Sequence, residues 1–513
     1  MDLKRSITRR DFLKLASAAS LSYLTAPLTE SIGRHLQGTS PNIIVLVFDA
    51  WSAENVSLYG YPRRTMPNLE VFAEHAIVYH NHYSAGRYTT PGTASLLTGL
   101  YPWTHRAFSL GSGILRQYTH KNVFALLSEK YKTLGYAQNK YADVFLDQFS
   151  AYLDLHVPGS AFNYENRMFY APFLRGDPQI AFSSFDDNIV RDDTGLDASL
   201  FLGPLLRTWH LYERKIDASA HPFGYPGGLP ETDAREYFSL QHIVDGAIDT
   251  LRNIQAPTFV YLHFYPPHDP YQPTQKFKNS FMGLNVWEPE EKPFNPRSTY
   301  KMAYQDLLVH RHHYDDYLAS WDDEIARLFA FMSETGLYED SYIIVTSDHG
   351  EMFERGELGH KTELLYEPLI HIPLIISRPG QVEREDVYTC TSSVDIVPTL
   401  AQLAGLPSPD WGEGKPLPRL GGVDGEQRSL YTIDAANNSS FAPLTRASVC
   451  LTKWPYRLTY YNYPDFQQFE FYNLDVDPEE LNNLFPSQPV DAMQMQDEML
   501  QRMTEADQPF KGN

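Results

Sequence analysis

The stretch from Asn42 to Asp49 reads NIIVLVFD, an unbroken apolar run that ends in a carboxylate. A run rich in β-branched residues and without polar alternation is typical of a strand that is covered on both faces. Similar runs recur at residues 258–264, 342–346 and 372–376, with helical patterns between them. Strands that alternate with helices indicate a mostly parallel sheet with helices on both faces. We therefore predict an α/β fold.

The remaining patterns divide the chain into regions. Helical periodicity covers residues 123–133, 314–333 and 395–404 within a main domain that we place at 40–425. Residues 150–235 have weak periodicity, and we interpret them as a loop-rich insertion that either borders the site or is a passive surface excursion. Short β-like stretches from about residue 428, followed by a polar helix at 490–507, predict a small antiparallel C-terminal subdomain at 426–513.

Composition excludes several classes of function. The 513 residues are 42% hydrophobic and 14% aromatic, which predicts a large buried core rather than a disordered chain. The formal net charge of −22 argues against binding to nucleic acid or to an anionic membrane surface, since both need a basic surface. The two cysteines, Cys390 and Cys450, are too few for a disulfide framework or a cysteine-based zinc site, although one bridge is possible.

The first 35 residues have the pattern of an export signal with a linker. Arg9 and Arg10 precede Phe-Leu-Lys and a short, weakly apolar run, an arrangement that resembles a twin-arginine signal. The run is shorter than the ~20 residues that a membrane span needs, and we expect no transmembrane segment. An amphipathic N-terminal helix is the alternative. We expect export by the twin-arginine machinery to the periplasm or the extracellular space.

Polar clusters follow three of the predicted strands. Asp49 ends the first strand, Asp348 and His349 follow another, and His268 follows the strand at 258–264. Ligands of open α/β sheets bind outside the carboxyl ends of the strands, so these residues are expected to converge. Adjacent carboxylate and imidazole groups suit a hard-to-borderline divalent metal. Each motif taken alone is as consistent with a capped turn or a satisfied histidine.

Thr89 is predicted to lie at the start of a helix. Pro91 is typical of a first helical turn, and ASLL continues the helix at residues 94–97. Free N–H groups and the helix dipole at such an end favour an anion or an alkoxide. A threonine that only caps the helix is the alternative.

Together, these motifs resemble the sulfatase branch of the alkaline phosphatase superfamily. The matching stretches occur in order over roughly residues 40–485: NIIVLVFD ending at Asp49, ASLLTGLYP at 94–102, PHDPY at 267–271, TSDHGE at 346–351, IPLII at 372–376, VDIVPTL at 394–400 and DPEELNNL at 477–484. The resemblance implies a large mixed, mostly parallel sheet between layers of helices, with a small antiparallel C-terminal subdomain.

The chain departs from this family at the nucleophile. The family motif is Cys or Ser, any residue, Pro, Ser, Arg, and its first residue is oxidised to formylglycine. Thr89 occupies that position here and Thr93 replaces the arginine. Threonine carries a methyl group on Cβ, so its oxidation would give a ketone and not the aldehyde. Ala50 replaces a second family aspartate beside Asp49. A threonine nucleophile resembles instead the phospho-transferring relatives, such as phosphoethanolamine and phosphoglycerol transferases.

The resemblance also implies roles for individual residues. It implies a single divalent metal ion (calcium, manganese or zinc) held by Asp49, Thr89, Asp348 and His349. Thr89 would be the nucleophile, with Thr90 as the competing register, and His268 would bind substrate or act as general acid. The expected substrate-binding cations are His360 and Lys361. Arg87, His105 and Lys140 are further candidates for anion contacts, although we favour a solvated surface position for each.

Three functions follow from these patterns. The leading hypothesis is an exported hydrolase in which Thr89 attacks a phosphate monoester, diester or phosphonate and forms a covalent phospho-enzyme. The second is a sulfuric ester hydrolase that works without formylglycine. The third is a non-catalytic binding protein that retains the fold. The first two imply a small anionic ester as substrate, and the oligomeric state stays open.

Overall fold

The computed structural model describes residues 40–164, 224–233, 236–255, 257–283 and 287–511. The expected signal segment and most of the expected insertion lie outside the described residues.

The described strands fall into one large sheet, a C-terminal sheet and two short pairs. In chain order they are β1 (Asn42–Phe48), β2 (Ile77–Tyr79), β3 (His82–Tyr83), β4 (Lys132–Ala137), β5 (Leu155–Val157), β6 (Thr258–Phe264), β7 (Ser341–Ser347), β8 (Met352–Glu354), β9 (Glu357–Gly359), β10 (Leu374–Ser377), β11 (Glu385–Val387), β12 (Thr391–Ser392), β13 (Leu430–Asp434), β14 (Ala447–Lys453), β15 (Tyr456–Tyr463) and β16 (Phe466–Asn473).

The described α-helices range from single turns to a helix of 31 residues. They are α1 (Pro67–Ala73), α2 (Thr89–Thr98), α3 (Pro102–His105), α4 (Val123–Leu127), α5 (Lys140–Gln148), α6 (Leu240–Arg252), α7 (Tyr304–Glu334), α8 (Leu337–Asp340), α9 (Glu367–Ile370), α10 (Ile396–Leu403) and α11 (Val490–Asp507). None of the described helices combines the length and the apolar character that a membrane span requires.

The large sheet is mixed but mostly parallel. Its strand order is β11-β2-β10-β7-β1-β6-β4-β5. Strand β10 runs antiparallel to both of its neighbours, and the other described strands of this sheet share one direction. Strands β7, β1 and β6 are adjacent and parallel at its centre, so their carboxyl ends open at the same edge.

Helices cover both faces of this sheet, as the apolar run of β1 predicts. Ile44, Leu46 and Phe48 pack into one hydrophobic cluster together with side chains of α1, α6 and α7. Ile43 and its alternate neighbours pack into a second cluster with α2, α4, α5 and α10. All seven residues of β1 are buried. Each large aliphatic side chain buried in this way contributes about 1.5–3 kcal/mol.

A separate antiparallel sheet forms the C-terminal unit. Its order is β13-β14-β15-β16, and residues of α11 pack in the same cluster as its side chains. Its edge strand β13 meets the segment before α2, where Ile433 N–H donates to the carbonyl of Ala85 (2.9 Å). The C-terminal unit thereby holds the chain that leads into Thr89.

The fold class predicted from the sequence is confirmed, and the boundaries of some elements were wrong. The segment predicted as one helix at 123–133 contains the short α4, and strand β4 begins at Lys132. The long helix α7 begins ten residues before its predicted start at residue 314. Cys390 and Cys450 are buried free thiols, so the possible bridge is absent.

Candidate active site and metal centre

The carboxyl ends of the three central strands bring the predicted metal ligands together. Asp49 directly follows β1, and Asp348 and His349 directly follow its parallel neighbour β7. On the other side of β1, His263 of β6 pairs with Val47 in the parallel register. All four of these polar residues are fully buried. The convergence expected from the sequence is therefore observed, with one additional histidine.

The side chains of these four residues form a tight cluster. His349 Nε2 lies 3.4 Å from Asp49 Oδ1 and 3.8 Å from Asp348 Oδ2. His263 Nε2 lies 3.6 Å from Asp49 Oδ2 and 3.7 Å from Asp348 Oδ2, and it has no hydrogen-bond partner among the described residues. The distances of 3.6, 3.7 and 3.8 Å are longer than a hydrogen bond. Donor atoms that share one tetrahedral cation at about 2.0–2.1 Å lie roughly 3.3 Å apart, close to the observed spacing.

Thr89 is the first residue of α2, and its hydroxyl faces this cluster. Its Oγ1 lies 3.5 Å from Asp49 Oδ1 and 3.4 Å from His349 Nε2. The neighbouring Thr90 has a different role, because its Oγ1 accepts a hydrogen bond from Gly111 N–H (3.1 Å). The structure therefore favours the register in which Thr89, and not Thr90, faces the site.

Helix α2 can approach the metal cluster because Gly92 lacks a side chain. A Cβ atom at Gly92 would lie 2.3 Å from the carbonyl oxygen of Asp348. That carbonyl also accepts a hydrogen bond from the hydroxyl of Ser84. The glycine thus allows the first turn of α2 to sit directly against the backbone of a candidate ligand.

The tautomer of His349 leaves its Nε2 available as an acceptor. Its Nδ1 lies 2.8 Å from the carbonyl oxygen of Gly350, which can only accept, so Nδ1 carries the proton. In the neutral ring, the lone pair of Nε2 then faces Asp49 and Thr89. A backbone carbonyl that orients an imidazole in this way is typical of a metal-ligating histidine.

The two carboxylates perturb each other. Burial raises the pKa of Asp348, and the adjacent charge of Asp49 raises it further. Burial also raises the pKa of Asp49, but the positive charge of His268 and the neighbouring imidazoles of His263 and His349 outweigh it and hold that pKa well below its ordinary value. Two buried, repelling carboxylates with imidazole lone pairs aimed at them fit a divalent cation.

Asn139 also contacts the cluster, and the sequence reasoning missed it. Its Nδ2 donates to Asp49 Oδ2 (2.5 Å) and lies 3.3 Å from Thr89 Oγ1. Its Oδ1 accepts from Tyr141 N–H and caps α5. An asparagine after an apolar stretch and before a helix is an N-cap signal, but the boundary error at β4 hid it. His263 was missed because it reads as part of the apolar strand.

A second row of buried groups lies beside the cluster. The rings of His349 and His360 are 4.5 Å apart, and those of His360 and His268 are 4.9 Å apart. His360 Nδ1 lies 3.2 Å from Glu351 Oε1. The sequence reasoning did not single out Glu351. Lys361 is exposed, unlike His360.

The histidines of this row differ in charge. Burial lowers the pKa of His268, but the negative charges of Asp269 and Asp49 outweigh it and raise that pKa to about 9. The pKa of His360 falls well below its ordinary value because burial, and after it the neighbouring rings of His349 and His268, disfavour a further positive charge. His268 is thus a proton donor at neutral pH, whereas His360 is a neutral imidazole.

The solvated positions favoured for Arg87 and His105 were wrong. Arg87 is buried and pairs with Asp434 of β13 (3.0 Å), so it joins the segment before α2 to the C-terminal sheet. His105 is buried and its Nε2 lies 3.1 Å from Ser95 Oγ. Lys140 is half-buried, with its ammonium group over the ring of Tyr141 (4.8 Å).

A family model described as Sulfatase matches residues 41–406. The chain belongs to the sulfatase family. A second model, described as N-sulphoglucosamine sulphohydrolase, C-terminal, matches residues 356–508. Membership makes the chain a hydrolase that acts on sulfuric or phosphoric esters, and sulfatase-family enzymes use a metal ion. The carboxylate and imidazole cluster is a site that can hold one.

Curated relatives include several sulfatases. Choline-sulfatase from Rhizobium meliloti is 23% identical over 486 residues, which cover 88% of this chain and 84% of the relative. Ulvan-active sulfatase from Formosa agariphila is 24% identical over 390 residues, 74% of this chain but 65% of the relative, just under two thirds. A multifunctional alkaline phosphatase superfamily protein, PehA from Trinickia caryophylli, is 24% identical over 507 residues, with 87% and 91% covered.

Solved structures share the fold. The phosphonate monoester hydrolase of Agrobacterium radiobacter aligns with a TM-score of 0.65 at 19% identity and covers 91% of this chain and 95% of its own. A protein solved in complex with its substrate D-glucosamine-2-N,6-O-disulfate aligns with a TM-score of 0.62 at 18% identity and covers 92% and 100%. Proteins that share this fold thus include a phosphonate monoester hydrolase and a protein whose substrate is a disulfated glucosamine.

Proposed function

We propose that the protein is a metal-dependent hydrolase of phosphate monoesters, phosphate diesters or phosphonates, with Thr89 as its nucleophile. The observation that carries this proposal is the position of Thr89 Oγ1, 3.5 Å from Asp49 Oδ1 and 3.4 Å from His349 Nε2 at the start of α2. The hydroxyl occupies the place of the family nucleophile but cannot be converted into formylglycine. The threonine hydroxyl can attack phosphorus directly. A sulfated threonine, however, cannot release sulfate by the elimination that a sulfated formylglycine hydrate undergoes.

In the first step, Thr89 Oγ1 attacks phosphorus in line with the leaving alcohol. A bond forms between Oγ1 and phosphorus while the ester bond to the alcohol breaks. Asp49 Oδ1 is placed to accept the hydroxyl proton. A divalent cation held by Asp49, Asp348 and His349 would lower the pKa of a bound hydroxyl and would stabilise charge on the phosphoryl oxygens. Protonated His268 donates a proton to the departing oxygen.

In the second step, water attacks the phosphothreonine. The bond between phosphorus and Oγ1 breaks, and Thr89 regains its proton from Asp49. The product that leaves is phosphate from a monoester, a phosphate monoester from a diester, or a free phosphonate. His268, having lost its proton to the alcohol, is then a neutral imidazole that can accept a proton from the attacking water.

Local cations allow an acidic protein to bind an anionic ester. The charged His268 borders the cluster, the exposed Lys361 follows His360 in the chain, and the first turn of α2 presents free N–H groups. His360 can donate or accept a hydrogen bond as a neutral ring. We propose that His360 and Lys361 bind the non-transferred part of the anion.

A sulfuric ester hydrolase is the second candidate. The curated relatives include choline-sulfatase, and one structural neighbour was solved with a disulfated glucosamine. The metal cluster suits either anion, because sulfate and phosphate esters have similar size and geometry. The two candidates differ in what Thr89 must do, since only a phosphoryl adduct of threonine has a ready hydrolytic exit.

The test compares matched nitrophenyl esters of phosphate, methyl phosphate, phenylphosphonate and sulfate. We expect one of the phosphorus esters to have the highest kcat/KM, and a sulfate preference would favour the second candidate. Thr89→Val keeps the side-chain shape and removes the hydroxyl, so it should abolish turnover. Thr89→Ser keeps the hydroxyl and should retain measurable activity. Full activity in Thr89→Val would eliminate the proposed nucleophile.

We also propose that residues 1–35 direct export through the twin-arginine machinery. The support is the Arg9-Arg10 pair followed by Phe-Leu-Lys and a short apolar run. Replacing both arginines with lysine should leave the full-length chain in the cytoplasm of the producing cell. Cell fractionation measures where the variant accumulates, and normal export of the variant would contradict this proposal.

A further inference from the structure

His263 is a fully buried polar group that the mechanism above does not use. It lies near the end of β6, and its Nε2 has no hydrogen-bond partner in the part of the chain that the structure describes. The same atom lies 3.6 Å from Asp49 Oδ2 and 3.7 Å from Asp348 Oδ2. A buried ring nitrogen without a partner costs free energy of folding, and a hydrogen-bond partner or a metal ion removes that cost. Both distances are too long for a hydrogen bond to either carboxylate.

A hydroxyl lies behind His263 on the side away from the two carboxylates. His263 Nδ1 is 3.0 Å from the Tyr261 oxygen, which can accept a hydrogen bond from it. In the tautomer that has its proton on Nδ1, the lone pair of Nε2 faces Asp49 and Asp348 and is available to a metal ion.

His263 and His349 are arranged in the same way. Each ring has Nδ1 within hydrogen-bond distance of an oxygen behind it, and each directs Nε2 at the pair Asp49 and Asp348. Such an outer hydrogen bond is what orients a metal-ligating histidine. Asp49, Asp348 and His263 each offer one ligand atom within 4.8 Å of the other two.

We propose that His263 is a ligand of the same metal ion as Asp49 and Asp348, and that its imidazole together with that of His349 selects a transition-metal cation over calcium. Calcium takes six to eight oxygen ligands, whereas paired imidazoles suit zinc and its first-row neighbours. Ala50 contributes no carboxylate beside Asp49, so the described cluster contains two carboxylates and two imidazoles. This inference rests on the metal site of the proposed function, and it narrows the identity of the metal ion to a transition-metal cation.

The experiment counts imidazoles at the metal. The purified full-length protein is stripped of metal, dialysed against equal concentrations of zinc, manganese and calcium, and analysed for bound metal by mass spectrometry. X-ray absorption at the edge of the retained metal then reports the number of imidazole ligands. We expect one zinc or manganese ion per chain with two imidazoles. Retention of calcium, or a metal with one imidazole, would overturn the proposal.

His82 offers a matched control for substitution. It is also fully buried, on the short strand β3, and its Nε2 also lacks a partner within the described ranges of the chain. Its Nδ1 also lies within hydrogen-bond distance of a hydroxyl, that of Thr391 (2.9 Å). His263→Gln should leave one imidazole and weaken metal binding more than about 100-fold, above the 10- to 100-fold typical of an outer-shell partner. His82→Gln should change neither value. Equal affinities for the wild-type protein and His263→Gln would contradict the assignment.

The metal measurements are independent of the substrate. If two imidazoles are found and no phosphorus ester is hydrolysed, the proposed function fails and the role of His263 stands. If phosphorus esters are hydrolysed while the metal has a single imidazole, the role of His263 fails and the proposed function stands.

Discussion

Replacing Gly92 with alanine should impair catalysis much more than it destabilises the fold. The new Cβ would lie 2.3 Å from the carbonyl oxygen of Asp348, and contacts under 3.0 Å essentially never occur. The first turn of α2 must therefore move away from Asp348 by about 0.7 Å or more. Thr89 lies one turn before Gly92 in the same helix, so its hydroxyl should move with it. The Ser84 hydrogen bond on the other side of that carbonyl resists a compensating shift.

The two expected effects differ in size. A displacement of about 1 Å from the productive geometry can reduce the rate about 10²-fold. Overpacking typically destabilises by about 1–3 kcal/mol. The intrinsic preference of a helix interior for alanine over glycine returns roughly 0.5–1 kcal/mol of that loss. We therefore expect kcat/KM to fall about 100-fold while the protein stays folded at room temperature.

The assay measures kcat/KM on the best ester of the panel, together with unfolding by urea. Gly412→Ala is the matched control, because a Cβ there meets only Pro409 at 3.5 Å, an ordinary contact. The control should keep both its activity and its stability. Full activity of Gly92→Ala, or an equal loss in Gly412→Ala, would refute the argument that the packing of α2 on Asp348 positions Thr89.

Three further predictions concern single residues. His268→Gln should slow hydrolysis of alkyl esters about 10²–10⁴-fold and nitrophenyl esters far less, because nitrophenolate leaves without a proton. In the wild-type protein, the rate on alkyl esters should fall as the pH rises through the His268 pKa of about 9. Equal losses on both ester types would exclude His268 as the general acid. Burial lowers the pKa of His105 from 6.5 to about 3, so as the pH falls below 6.5 only the unfolded chain protonates this histidine. The free energy of unfolding should therefore fall by about 1.4 kcal/mol per pH unit because of this group. Urea unfolding of His105→Gln should show a correspondingly shallower pH dependence, and an unchanged slope would contradict the burial of a neutral His105. Arg457 is fully buried between Glu367 and Glu480. Arg457→Met should therefore lower the free energy of unfolding in urea by about 3–5 kcal/mol, and adding Glu480→Gln should restore part of that loss. A loss under about 1 kcal/mol would contradict a buried ion pair.

Much of the site could be predicted because parallel strands place their carboxyl ends at one edge. Asp49 and the pair Asp348-His349 stand immediately after apolar runs, and neighbouring parallel strands bring such positions together. The start of α2 at Thr89 followed from Pro91 and the apolar residues after it. These signals are local in sequence, so reading them needs no knowledge of distant contacts.

The residues that were missed depend on contacts across the sheet. His263 reaches the cluster because β6 pairs with β1 in a register that sets it beside Val47, and no local pattern specifies that register. Asn139 reaches Asp49 because β4 is the next strand along, and the periodicity of residues 123–133 concealed that strand. The burial of Arg87 depends on Asp434, more than 300 positions later in the chain.

The most direct test of the account is the identity of the covalent intermediate. The enzyme is quenched with acid during turnover of a nitrophenyl phenylphosphonate, and its peptides are analysed by mass spectrometry. The account predicts a phenylphosphonyl group, whose mass a sulfate adduct cannot imitate, on Thr89 of the wild-type protein and no adduct in Thr89→Val. An adduct on any other residue, or the same turnover with Thr89→Val, would contradict it.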